Sequence, residues 1–162
     1  MKKSIKAIAA IVVAAISLSL VGCTKDNEDL IIGTWNVTSL TETISDHPDA
    51  SMNGTHTESV PAGFTMTFVF NKDNTGKMLE SGYGESEESP FTYIVRDDKL
   101  DLTVREEGSS LAFTVTFDIE KLDKKEMIIS MTENENDEYE DENGEWHEVQ
   151  YTEKMVYNMT KA

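Results

Sequence analysis

The sequence predicts an all-β chain folded as an eight-stranded antiparallel up-and-down barrel. Three observations carry this. Apolar and polar residues alternate with a period of two through most of the chain after residue 30, and no window in that stretch shows an amphipathic helix. Turn residues separate the apolar runs at hairpin spacing, and the runs number eight. Eight strands close a small barrel and remove exposed sheet edges.

The elements follow in order. Lys2, Lys3 and Lys6 give a basic start, and Ala7 to Leu20 is an unbroken run of apolar and small residues. Residues 1–22 therefore read as a secretory signal peptide, too short for the roughly 20 apolar residues of a bilayer span. The run ends in Leu20-Val21-Gly22-Cys23, with the only cysteine of the chain. This ending resembles a bacterial lipobox. The resemblance implies that Cys23 is the lipid-attachment residue, thioether-linked to diacylglycerol, with the signal cut before it and the new amine acylated. Two or more acyl chains give a stable anchor where one does not; the alternative is a cleaved signal with a stray thiol. Thr24 stands where an aspartate would favour inner-membrane retention. Residues 23–29 read as a lipidated, solvated tether, and Lys25-Asp26-Asn27-Glu28-Asp29 resembles acidic tracts that carry some lipoproteins to the cell surface. The expected location is the outer membrane, lipid-anchored, on the periplasmic face or the cell surface.

Residues 30–162 form one expected barrel domain, near the usual domain size. Its strands are Trp35 to Thr41, Gly63 to Phe70, Gly76 to Glu80, Phe91 to Val95, Lys99 to Val104, Leu111 to Ile119, Met127 to Met131 and Val149 to Lys161. Phe64, Met66, Phe68 and Phe70 share one face of theirs, with Thr65 and Thr67 opposite. Leu100, Leu102 and Val104 share another, as do Leu111, Phe113, Val115, Phe117 and Ile119. Asn71 to Gly76, Asp97-Asp98, Glu107-Gly108, Asp123-Lys124 and Asn143-Gly144 supply the turns, the last fitting type I′.

The first strand opens on Gly33-Thr34-Trp35-Asn36-Val37. A glycine two residues before a tryptophan, at the start of the first strand of a small all-β chain, resembles the Gly-X-Trp signature of the lipocalins and their short bacterial lipocalin-like relatives. The resemblance covers about Leu30 to Lys161. It implies that Trp35 plugs one end of the barrel and that a cation from the last strand, Lys161, covers its ring, so that Gly33, Trp35 and Lys161 close the barrel. The physics stands apart from the family, since an indole buries much apolar area and its face attracts a cation. The chain has no Thr-Asp-Tyr run and no helix before its last strand, departures from the animal transport lipocalins.

Charge narrows the function. The chain carries 14 basic and 31 acidic residues, a formal charge of −17, and the signal holds three lysines and no acid, leaving 11 basic against 31 acidic residues beyond it. Phosphate backbones are bound by Lys and Arg, so nucleic acid is not an expected partner. Only His47, His56 and His147 could act as a histidine base or zinc ligand, and none has a paired metal spacing. No catalytic residues, metal or cofactor are expected, and the chain reads as a non-enzyme.

Two polar stretches break the strand spacing: Glu42 to Ala62, read as a loop over the barrel mouth, and the acidic run Glu133 to Glu145, read as a solvated hairpin with Tyr139 and Trp146 near its tip. Calcium could be drawn to such a run, but the spacing fits no EF-hand loop. The expected ligand-binding residues are the inward-facing Phe64, Met66, Phe68, Leu100, Leu102, Phe113, Val115, Phe117, Tyr157 and Met159. A pocket lined this way suits a small apolar or amphiphilic molecule, fatty or isoprenoid-like. The alternative is a surface module whose acidic hairpin contacts a protein or glycan, as an inhibitor would.

Overall fold

The structure is a computed structural model that describes residues 24–105, 111–141 and 143–162. The signal segment, Cys23, the Glu107-Gly108 turn and Glu142 lie outside the described residues. A short helix, α1 (Thr24–Ile31), precedes nine strand segments. These are β1 (Gly33–Ser45), β2 (Gly54–Ser59), β3 (Phe64–Phe70), β4 (Thr75–Gly82), β5 (Glu85–Arg96), β6 (Lys99–Arg105), β7 (Ala112–Leu122), β8 (Glu126–Glu140) and β9 (Trp146–Lys161). Sequential antiparallel pairing runs from β3 to β9, and β1 bonds to both β3 and β9, which closes the ring.

The barrel has eight staves, because β2 and β3 are two halves of one. Both pair with the same edge of β1, and the register jumps by five residues between the Ser39↔Ser59 and Asn36↔Thr67 pairs. The jump falls at Val60 to Phe64, where Pro61 has no N–H to give and Gly63 takes a φ of 86°. The expectation of a loop from Glu42 to Ala62 is thus corrected. β1 runs on to Ser45 and pairs with β2, and only the tip between them is irregular. Thr41–Thr57 and Thr43–Thr55 hydroxyl pairs, at 2.9 and 3.0 Å, hold this hairpin from outside.

The expectation of no helix beyond the signal is also corrected. Residues 24–31 form α1 where a tether was expected, and Asn27 Nδ2 donates to Asp97 O at 3.0 Å. Eight residues are too few for a helix stable on its own. Packing and capping against the barrel hold it. Leu30 and Ile31 are last-turn residues whose carbonyls lack intrahelical partners. Lys161 Nζ donates to Leu30 O at 3.0 Å, and Trp35 Nε1 donates to Ile31 O at 2.7 Å.

Burial concentrates at the α1 end. Ile31, Trp35, Phe70, Leu100, Met127, Ile129 and Met159 are fully buried, and Phe68, Phe91, Tyr93 and Phe117 pack around them. Phe70 meets the Tyr93 ring edge-on at a centroid distance of 5.0 Å, the favoured geometry for aromatic pairs. This half of the interior is filled with side chains.

The opposite end is uneven. β5 bonds to β6 only from Phe91 onward, and β7 bonds to β8 only through Asp118–Leu122. The β4–β5 and β8–β9 hairpins therefore stand above the rest of the rim, the latter paired as far as Glu140↔Trp146. The Asp141–Glu145 loop at its tip is not type I′. Of its described residues only Gly144 has a positive φ, 84°, and Gly144 N–H donates to Asp141 O at 3.0 Å. A type I′ turn would need Asn143 there as well.

Candidate ligand site at the barrel mouth

The plugged end defines where a ligand cannot enter. Trp35 is fully buried, and Lys161 Nζ sits 4.7 Å above its ring centroid while it caps α1. Lys154 instead pairs with Glu120 at 2.7 Å. Gly33 explains the spacing of the motif. Its φ is +133°, and a Cβ there would stand 2.8 Å from Lys161 Cε. Only glycine leaves room for the lysine to cross over the indole.

Of the expected lining residues, Phe68, Leu100, Leu102, Phe117 and Met159 belong to the buried core. They are neighbours in the filled half. Phe64, Met66, Val115 and Tyr157 are half-buried, nearer the mouth. Phe113 shares their face but is 54% exposed, because β8 has left the side of β7 at that level. Leu111, expected to point inward as well, is 75% exposed. Leu40, Met78, Val104 and Met131, absent from the expected ligand-binding set, pack against the core from above with Met66, Val115 and Tyr157. Together they form an apolar floor.

Above that floor the inward face turns acidic. Continuing the alternation of each strand brings Glu42 after Leu40, Glu80 after Met78, Glu133 and Glu135 after Met131, and Glu153 before Met155. Glu133 and Glu153 are cross-strand partners. Burial, and then the charges of Glu42, Glu135 and Glu133, push the Glu153 carboxyl above the ordinary carboxylate range. Burial, followed by Glu80, Glu153 and Glu133, pushes the Tyr157 phenol up as well. Tyr157 marks the boundary. Its ring stands edge-on to Phe68 and Phe117, at 6.3 and 5.8 Å, with the carboxylates above. No charged residue was expected in the lining, and the period-two pattern of the run from Met127 to Glu135 is the signal that places these acids inside.

The raised Glu153 gives a pH prediction. A carboxyl whose folded-state pKa lies above its unfolded value favours folding below the unfolded pKa, and that contribution is lost as pH rises through the folded pKa. Glu153→Gln is expected to raise the melting temperature at neutral pH by a few degrees. At about pH 3, below the ordinary glutamate pKa of roughly 4.3, it is expected to change nothing. Thermal melts at both pH values check this, and an equal shift at both would overturn it.

A loop folds onto the upper wall. His47 is buried, with its ring edge-on to Tyr151 at 5.3 Å and to Tyr139 at 6.2 Å. Asn53 fastens the loop by accepting His47 N–H at 2.9 Å and donating to His47 O at 2.7 Å. The β1–β2 tip thus rests on the long β8–β9 hairpin. Open hollows of about 600 and 620 Å³ lie at this end, one beside Phe64, Glu80 and Tyr83 and one on the hairpin near Asn136 and Gln150.

Among the described residues one group, Asp141, Glu145 and His147, brings its ligand atoms within 4.8 Å of one another. The hairpin loop accounts for it. Asp141 accepts N–H bonds from Asn143 and Glu145 at 2.8 and 3.0 Å, then one from His147 at 3.2 Å, and its carboxyl falls to about 2. It is a cap for the turn.

No family model matches the chain, and no curated protein matches it in sequence. Among solved structures it is similar to a lipocalin-like protein from Bacteroides uniformis, 10% identical, over 83% of this chain and 99% of that one, with a TM-score of 0.48. A protein from Bacteroides eggerthii is 15% identical over 81% and 98% of the two chains, with a TM-score of 0.47. A bovine odorant-binding protein variant is 14% identical over 80% and 72%, with a TM-score of 0.38. The chain's own strand pairing carries the fold assignment: a closed eight-stranded antiparallel barrel with Trp35 beneath Lys161 at its plugged end.

Proposed function

We propose that the protein is a lipid-anchored binding barrel of the outer membrane, non-enzymatic, that takes a small amphiphilic molecule at its mouth. The supporting observation is the layering of the interior, a half-buried floor of Leu40, Met66, Met78, Val115, Met131 and Tyr157 under a rim of Glu42, Glu80, Glu133 and Glu153. Apolar lining with a few placed polar groups is the usual composition of a small-molecule site, and methionines adapt to irregular shapes. The rim selects the polar end. A fatty acid would set its carboxylate among four others, whereas an ammonium head is attracted to them and a neutral head loses little. The filled lower half limits the apolar part to what the upper half holds.

Titration with a fluorescent long-chain amine and its matching fatty acid tests this. Saturable binding of the amine, weakened by Met78→Trp filling the floor, is expected. Tighter binding of the fatty acid, or no saturable binding of either, would overturn the reading. For the anchor, Cys23→Ala is expected to move the protein entirely from the membrane fraction to the soluble one. Continued membrane association of that variant would refute lipidation at Cys23.

A further inference from the structure

The wall of the barrel has a gap in its backbone hydrogen bonding. Beyond Ser130 and before Asp118 the two neighbours part: among the described residues Ala112–Phe117 pairs only with β6, and Met131–Glu140 only with β9. Two edges with unpaired N–H and C=O groups therefore face one another, with no strand between them among the described residues. The sequence shows why. Continuing the Asp118↔Ser130 register would set Glu133 beside Val115 and Glu135 beside Phe113 on the inner face. A carboxylate laid against an apolar neighbour on that side, with Glu153 or Tyr151 on the other, loses water and gains no partner, so the strands separate instead.

We propose that this gap binds an extended peptide with Lys or Arg at alternate positions, inserted as a strand between β7 and β8. Unpaired edges template a further strand, with the main chain giving affinity and alternate side chains giving specificity. Each inward side chain of the guest lies between Val115 and Phe113 on one flank and Glu133, Glu135 and Asp137 on the other. A cationic head on an aliphatic stem satisfies both at once. Outward side chains meet Thr114 and Thr116 on one flank and Thr132 and Asn134 on the other, which suits small polar residues. Charge opposes a second copy of this chain as the guest, because each copy carries a formal charge of −17. Inward carboxylates otherwise serve to blunt an edge, and a cationic guest is what removes that block.

The test uses the full-length protein in non-ionic detergent and a short peptide of alternating lysine and threonine. One control peptide has the same composition with its lysines grouped, and another has alternate backbone nitrogens methylated. Saturable binding of the alternating peptide is expected, with both controls and the Glu133→Gln/Glu135→Gln variant weaker by about tenfold or more. Hydrogen exchange is expected to slow along Ala112–Phe117 and Thr132–Asn136 when the peptide is added. Val115→Lys, which supplies the cation from within, is expected to abolish binding and serves if the double variant does not fold. Equal binding of the grouped or methylated peptide, no slowing at those edges, or the same slowing from concentration alone through a second copy would each overturn the proposal.

Discussion

Trp35→Ala is expected to destabilise the protein by about 3–5 kcal/mol, the range for emptying the site of a large buried aromatic. The indole is fully buried at the plugged end. Its removal leaves a cavity beneath Lys161 and takes away the cation's partner. It also leaves Ile31 O without its donor, so α1 loses half of its capping. Urea unfolding measures the loss, and limited proteolysis within residues 24–32 reports whether the helix lets go while the barrel persists. Trp35→Phe is expected to recover part of the packing and none of the Nε1 hydrogen bond. A loss within about 0.5 kcal/mol for the alanine variant, the size of a typical surface change, would show that the plug is peripheral.

The second large effect sits in the opposite kind of residue. Gly76 is buried, pairing with Phe70 on one side and Phe91 on the other. A Cβ at that position would stand 2.2 Å from Phe91 Cε2 and 2.5 Å from Val69 O. The ring could rotate away, but the carbonyl belongs to a paired strand. Gly76→Ala is expected to cost about 3 kcal/mol, at the upper end of the usual range for overpacking. Combining it with Phe91→Leu, which removes the ring atoms and keeps the backbone contact, is expected to restore only part of the loss. Full restoration would show that the side chain alone is the obstacle.

Much of this architecture could be read from the residues. Phe64 to Phe70 and Leu100 to Val104 announce themselves by period-two alternation, which is purely local, whereas Met127 to Met131 is legible as a strand without a clear inward face. The Trp35–Lys161 contact was expected only through the resemblance that Gly33-Thr34-Trp35 carries, since no local pattern joins residues so far apart. α1 was hidden, since Thr-Lys-Asp-Asn-Glu-Asp has no apolar face and the helix exists only through capping by distant residues. The acidic rim was hidden for another reason. Glu133 and Glu135 were read by composition as part of a solvated run, whereas alternation continued from Ile129 puts them on the inner face. The exposure of Phe113 depends on where two strands part, a tertiary choice that no single strand encodes.

The joining of first strand to last has a consequence for how the chain folds. Lys161 caps Leu30 across 131 residues, and Thr38 Oγ1 reaches Asn158 O across 120. Such contacts form only after a costly search, since loop closure must come before the contacts that reward it, and folds dominated by non-local pairing fold in milliseconds to seconds. During synthesis Trp35 emerges long before its lysine. Until then one edge of β1 stays unzipped, and α1 lacks the lysine that caps Leu30. The lysine cap on α1 and the closure of the barrel along β1 and β9 thus both wait for the same strand.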